Sequence, residues 1–202
     1  QNNVGILDLS TFAKYEIKGS DSEAYLNRLC ANSIPKKDGG IILGHTLNNI
    51  GRIQSELTIT RLSTDNFYIL SSTASEIRDL DWFNHNLNKG EKVEINNVTE
   101  DYGVLVLAGP KSRVVLSQLT SENLENSNFP WLKGKEIEIN KVLVRALRIN
   151  YMGELGWELH HPMKQMESLY DVIYEAGKKN NISNFGTYAV NSLRMEKAYR
   201  GW

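Results

Sequence analysis

Cysteine is almost absent from this chain: among 202 residues only Cys30 carries a thiol. A single cysteine excludes an internal disulfide and any zinc site of several thiolates, and it fits a reducing compartment. Histidine is scarce too. His45, His85, His160 and His161 match neither HExxH nor a helical i, i+4 pair, and His160-His161 on a strand would point to opposite faces, so no metal site is expected. Lys+Arg 23 against Asp+Glu 24 leaves a net charge of -1 with no basic block, which argues against a nucleic-acid partner. No apolar run reaches the roughly eighteen residues of a membrane span, and no signal-peptide pattern is present; membrane association and secretion are not expected. Gly103 and Gly109 stand alone, without GxGxxG or GxxxxGK[ST], and there is no GxSxG elbow. Phosphate-loop nucleotide binding and serine-hydrolase chemistry are therefore excluded.

What is present is enough apolar residue, 41%, to bury a substantial core in one large or two small domains. Strands are expected at Phe12 to Lys18, Ile41 to Leu47, Arg52 to Thr60, Phe67 to Leu70, Val93 to Ile95, Tyr102 to Leu107, Glu136 to Ile139 and Val142 to Ile149. Helices are expected around Tyr25, Leu26 and Leu29 with Ser20 or Asp21 as cap, from Thr73 to Leu87, from Ala108-Gly109-Pro110 with Pro in the first turn and Val114, Val115, Leu116 and Leu119 on the core face, from Lys164 to Ala176 with Gly177 just past its end, and from Thr187. Strands joined by turns and interspersed with helices predict an α+β fold with largely antiparallel sheets and flanking helices. Gln1-Asn2-Asn3 lacks an initiator Met, and the Thr187 helix runs almost into Gly201-Trp202, so the chain reads as a fragment of something longer.

The most informative stretch is Ile149 to His160. Gly153 and Gly156 bracket Glu154-Leu155, which predicts a hairpin with a four-residue loop in which Met152 faces Trp157 and Tyr151 faces Glu158. Opposed residues lie about 5 Å apart at Cβ, so a phenol would stand beside a carboxylate. The two acceptor oxygens of a carboxylate match a ligand edge with two parallel donors, such as the pyrimidine edge of a pterin or guanine. The competing reading is an ordinary exposed hairpin. Further strand hydroxyls and carboxylates, Ser55, Glu56, Ser71 and Ser72, read one by one as solvated groups, with Ser72 also suited to capping a helix. By alternation Glu56 points away from Ser55. Arg194 and Glu196 read as holding the last helix, Cys30 as a buried thiol, and Trp82 and Phe83 as core.

In order along the chain, Asp8-Leu9-Ser10, Asn48-Asn49-Ile50-Gly51-Arg52, Ala108-Gly109-Pro110, Tyr151 to Glu158 and Leu193-Arg194-Met195-Glu196-Lys197-Ala198 resemble the folate-binding aminomethyltransferase family, the glycine-cleavage T-protein group. Ile34-Pro35-Lys36, Ser55-Glu56-Leu57-Thr58 and Asn184 to Ala189 are most similar to the branch that forms the C-terminal folate domain of dimethylglycine dehydrogenases. The resemblance implies a three-lobed fold around tetrahydrofolate. Residues 1–50 plus 140–202 would form a discontinuous first lobe with the folate-binding hairpin at 149–160, residues 51–139 a second lobe, and a third lobe would follow Trp202.

It also implies that Glu158 binds the pterin, that Tyr151 lines the same site and that Ser55 and Ser72 stand at folate-contacting positions; no catalytic residue is singled out. In the whole enzyme a flavin (FAD) oxidase domain of the same chain would oxidise an N-methyl amine, and this domain would capture the one-carbon unit as 5,10-methylenetetrahydrofolate. The location implied is the mitochondrial matrix in a eukaryote and the cytoplasm in a bacterium. Ser55 replaces an aspartate of the glycine-cleavage enzymes, and Val190 replaces an arginine. The alternatives are a free-standing aminomethyltransferase, which an aspartate at position 55 would support, and a noncatalytic folate-fold assembly module, whose cysteine motif this sequence lacks.

Overall fold

The computed structural model describes residues 1–201. In chain order its elements are β1 (Gly5–Asp8), β2 (Ala13–Lys18), α1 (Ser22–Leu29), β3 (Ile41–Leu47), β4 (Ile53–Ser63), β5 (Asn66–Ser71), α2 (Glu76–His85), β6 (Glu94–Asn97), β7 (Tyr102–Ala108) and α3 (Ser112–Leu116). The chain continues as β8 (Gly134–Ile139), β9 (Val142–Leu147), β10 (Gly156–Pro162), α4 (Met166–Gly177), β11 (Ser183–Asn184) and α5 (Thr187–Glu196). The expected α+β class with largely antiparallel sheets is what the chain forms.

Two compact units divide it: residues 11–99, and residues 1–10 together with 100–202. This differs from the expected split of 1–50 plus 140–202 against 51–139. Strand pairing is the cause. β2 pairs with β5 and β6, and β3 with β4, so everything from residue 11 to the end of β6 closes on itself in a five-stranded sheet ordered β3-β4-β5-β2-β6. β7 pairs with β1 and β10, which carries residues 1–10 into the other unit.

In the 11–99 unit, β4 alternates as its sequence predicts. Ser55, Leu57 and Ile59 face a core with Tyr15, Tyr25, Phe67 and Phe83, while Glu56 lies on the other face against His45, Nε2 to Oε2 3.1 Å. Trp82 is half-buried at the edge of this core. Cys30 is buried in it, and burial pushes its thiol up to about 12. Asp21 precedes α1 without a side-chain cap; its Oδ2 accepts the Lys92 backbone N–H at 2.8 Å and ties the helix start to the approach to β6.

The second unit holds a six-stranded sheet ordered β11-β1-β7-β10-β9-β8, antiparallel except for β1 with β11. β7 is apolar at both parities because both of its faces are covered. One face carries the main core, where Ile6, Leu105, Leu107, Val144, Trp157 and Leu159 meet Val115 and Leu116 of α3 and Leu169 and Ile173 of α4. Each such side chain contributes about 1.5–3 kcal/mol on burial. The opposite face is thinner: Leu7, Val106, Ala108 and Met152, capped by Val190 and Leu193 of α5. Two helix ends differ from expectation. α3 begins at Ser112, after Pro110, and leaves Val114 exposed. Gly177 is the last residue of α4 rather than the residue beyond it; Ile182 packs where its side chain would be, with carbons 2.6 Å from an added Cβ, and Asn181 supplies the left-handed turn at φ 55°.

Candidate functional site

β10 is the strand on which the site is built. Trp157, Leu159 and His161 alternate toward the main core, which leaves Glu158 and His160 on the thinner face. Glu158 is registered against Val106 of β7 and Leu147 of β9, both buried and apolar. Its side chain is only 16% exposed, and desolvation there raises the carboxyl to about 8. Its side-chain hydrogen-bond partner among the described residues is His160, whose Nε2 lies 3.4 Å from Oε2. A carboxyl so placed is mostly protonated at pH 7, and a ligand that supplies donors for its oxygens favours the charged form.

The expected face-to-face pairs do not form. β9 ends at Leu147 and β10 starts at Gly156, so the connection is eight residues, 148–155, and Leu147 stands opposite Glu158 where Tyr151 was expected. Asn150 is the reason. Its Oδ1 accepts the Met152 backbone N–H at 2.9 Å, and its Nδ2 donates to the Glu154 carbonyl at 2.7 Å. This closes a compact turn through Gly153, at φ 69°, and takes Tyr151 and Met152 out of the ladder. The Leu155 carbonyl is held from the other side by the Gly109 N–H at 2.8 Å and the Ser112 hydroxyl at 3.1 Å. Met152 tucks under the sheet with Val106 and Ala108, on the face away from Trp157.

Tyr151 is 40% exposed. Its hydroxyl donates to the Arg200 carbonyl at 2.6 Å, its ring lies 6.4 Å from that of Tyr199, and the Arg194 guanidinium sits 5.4 Å from its centroid. Arg194 also donates to the Tyr199 carbonyl at 2.7 Å and to Asn191 Oδ1 at 2.9 Å, the helix-holding role read from the sequence. A cleft of about 630 Å³ opens in the same unit between the start of the chain, the 148–155 turn and α5, lined by Gly5, Met152, Phe185, Leu193 and others; Glu158 is not among its lining residues.

Ser55 and Ser72 belong to the 11–99 unit. Ser55 is buried and its hydroxyl donates to Asp79 Oδ1 at 2.5 Å, while Ser71 donates to Oδ2 of the same carboxylate. Arg78 completes the cluster, Nε to Oδ1 3.2 Å. Asp79, on α2, escaped the sequence reading because it looks like one more polar residue on a helix; its helix partners Leu80 and Phe83 were the available signal. Ser72 is exposed. It precedes the 3₁₀ turn Thr73–Ser75, and its carbonyl, rather than its hydroxyl, accepts the Ser75 N–H at 2.9 Å. Among the described residues no three His, Cys, Asp or Glu side chains stand together as metal ligands, and no helix is long and apolar enough to cross a membrane.

Residues 1–202 match the GCVT N-terminal domain. Mitochondrial dimethylglycine dehydrogenase of Rattus norvegicus is 46% identical over 200 residues, which is 98% of this chain and 23% of that protein. The aminomethyltransferase of Caldanaerobacter subterraneus subsp. tengcongensis is 31% identical over 198 residues, 97% of this chain and 52% of that one. Among solved structures, glycine cleavage system aminomethyltransferase T from Bartonella henselae superposes with a TM-score of 0.85 at 20% identity over all of this chain and 53% of its own, a likeness of fold. The chain thus spans about a quarter of the length of the dehydrogenase it matches, and it belongs to the GCVT N-terminal domain family.

Proposed function

We propose that this domain binds a reduced folate through Glu158 and is the one-carbon-accepting part of an enzyme of the dimethylglycine or sarcosine dehydrogenase kind. The observation that carries the reading is the Glu158 carboxyl itself, desolvated between Val106 and Leu147 with one long hydrogen-bond contact among the described residues, to His160. Two parallel N–H donors on a pterin edge would satisfy both oxygens, and the low-dielectric setting makes those bonds strong. Folate supplies the nucleophilic nitrogens; the protein positions them. Tyr151, in the same unit as Glu158, would lend its ring as a wall. A FAD-bearing domain of a longer chain would generate the electrophilic iminium, for which positioning supplies much of the acceleration.

The 46% identity to dimethylglycine dehydrogenase supports this branch over a free-standing aminomethyltransferase, and so does a serine committed to Asp79 at position 55. By the same kinship the matrix of mitochondria is the proposed location in a eukaryote, and the cytoplasm in a bacterium. Calorimetric titration of this chain with 5-formyltetrahydrofolate, beside Glu158→Ala, tests the reading. Saturable binding weakened by the substitution is expected. Equal binding by both proteins, or none by either, would reject Glu158 as the anchor.

A further inference from the structure

Glu158 and His160 are two apart on β10 and share its thinner face, Oε2 to Nε2 3.4 Å, with the imidazole fully buried. We propose that His160 is the positioning residue of the folate site: it orients the Glu158 carboxyl and accepts the proton that the carboxyl must give up when a two-donor ligand edge binds. The inference rests on the folate reading above. In the ligand-free chain the Glu158 O–H bond points its proton at Nε2. When two ligand N–H groups engage the carboxylate, that O–H bond breaks and an N–H bond forms on the imidazole. The pair passes from neutral and neutral to minus and plus with no net proton lost. The existing contact becomes a charge-assisted bond that holds the carboxyl plane in place.

The surroundings fit this assignment. Desolvation keeps the proton on Glu158 without ligand. From β9, Arg145 is registered against His160. Arg145 stacks over Tyr102 of β7, 5.3 Å to the ring centroid, and on β8 Glu136 is registered against it. From α5 this face receives Val190 and Leu193; Arg194 and Glu196 are turned to Tyr199 and Gln1. In the 148–155 turn Glu154 pairs with Lys197 at 3.3 Å, and Tyr151 bonds the Arg200 carbonyl. His160 is thus the proton acceptor in contact with Glu158 within this unit.

Two measurements separate this proposal from the folate reading. The first is calorimetry with 5-formyltetrahydrofolate in buffers of different ionisation enthalpy at pH 7. Wild type should release almost no proton to buffer. His160→Gln, which keeps a hydrogen-bonding amide but cannot take a proton, should release about one and bind about tenfold more weakly at pH 7 than at pH 9. Equal proton release by both overturns the proposal and leaves Glu158 as anchor; no binding by wild type overturns the folate reading and this inference with it. The second needs no His160 variant. The His160 ring nitrogens are followed by NMR at pH 7 with and without saturating 5-formyltetrahydrofolate, and the ring should be neutral in the free chain and an imidazolium once folate is bound. A ring that stays neutral in the folate-bound chain overturns the proposal and leaves Glu158 as anchor.

Discussion

Asp79 is buried and Glu158 is 16% exposed, yet their surroundings are opposite, and the contrast separates structure from site. Asp79 sits in the 11–99 unit with both oxygens accepting serine hydroxyls, from Ser55 and Ser71, and with the Arg78 guanidinium against it. Glu158 sits in the other unit between Val106 and Leu147, and its side-chain hydrogen-bond partner among the described residues is His160 at 3.4 Å. The first is a satisfied network, whose members depend on one another for stability. The second costs free energy to ionise, and a fold retains such a group when something outside it completes the hydrogen bonds.

The sharpest way to break the comparison is at Asp79. Asp79→Ala strips two buried hydroxyls of their acceptor and should cost about 2–4 kcal/mol in denaturant unfolding; a loss under about 1 kcal/mol would place Asp79 with Glu158 instead. For Glu158→Ala the effect moves to the ligand: about 1–3 kcal/mol of reduced-folate affinity, with stability changed by less than about 1 kcal/mol.

The pH dependence gives a third test. Folding raises the Glu158 carboxyl from its ordinary 4.5 to about 8, so the native state holds the proton more tightly than the unfolded chain does. Its contribution to stability is therefore full below pH 4.5 and is lost as pH rises through 8. Wild type should lose stability between pH 5 and pH 9 relative to Glu158→Gln, and parallel curves would show that the carboxyl is not desolvated. Ser55→Ala removes one of the two hydroxyls that Asp79 accepts and should cost about 1 kcal/mol in denaturant unfolding; no loss of stability would show that the Asp79 network does not depend on it. Smallest of all, Tyr151→Phe removes an exposed bond to the Arg200 carbonyl and should cost no more than about 0.5 kcal/mol.

Period-two and helical patterns made most strands and helices legible, β4 above all, where Ser55, Leu57 and Ile59 face inward as alternation requires. The division into units was not legible, because it turns on the four residues of β1 pairing with β7 some hundred residues later, and a pattern of apolar residues carries no information about such a distant partner. Glu158 could be found because the glycine-bracketed hairpin put a carboxylate on a strand face and the family resemblance pointed to the same residue. Its supposed partner Tyr151 was misplaced by a side chain: Asn150 bonds the Met152 N–H and the Glu154 carbonyl and turns a four-residue loop into eight. His160 was weighed in the sequence only as a metal ligand. Its position two residues beyond Glu158 already put the two on one face, and only the buried geometry gives that proximity meaning.

The most direct measurement is a carbon-13 NMR titration of the Glu158 and Asp79 side-chain carboxyl carbons, with and without saturating 5-formyltetrahydrofolate. The account predicts that Glu158 titrates near pH 8 in the free chain and is ionised throughout pH 6–9 once folate is bound, while the Asp79 signal is unmoved by the ligand. A Glu158 signal already ionised at pH 6 without ligand, or one that folate leaves unchanged, would contradict it.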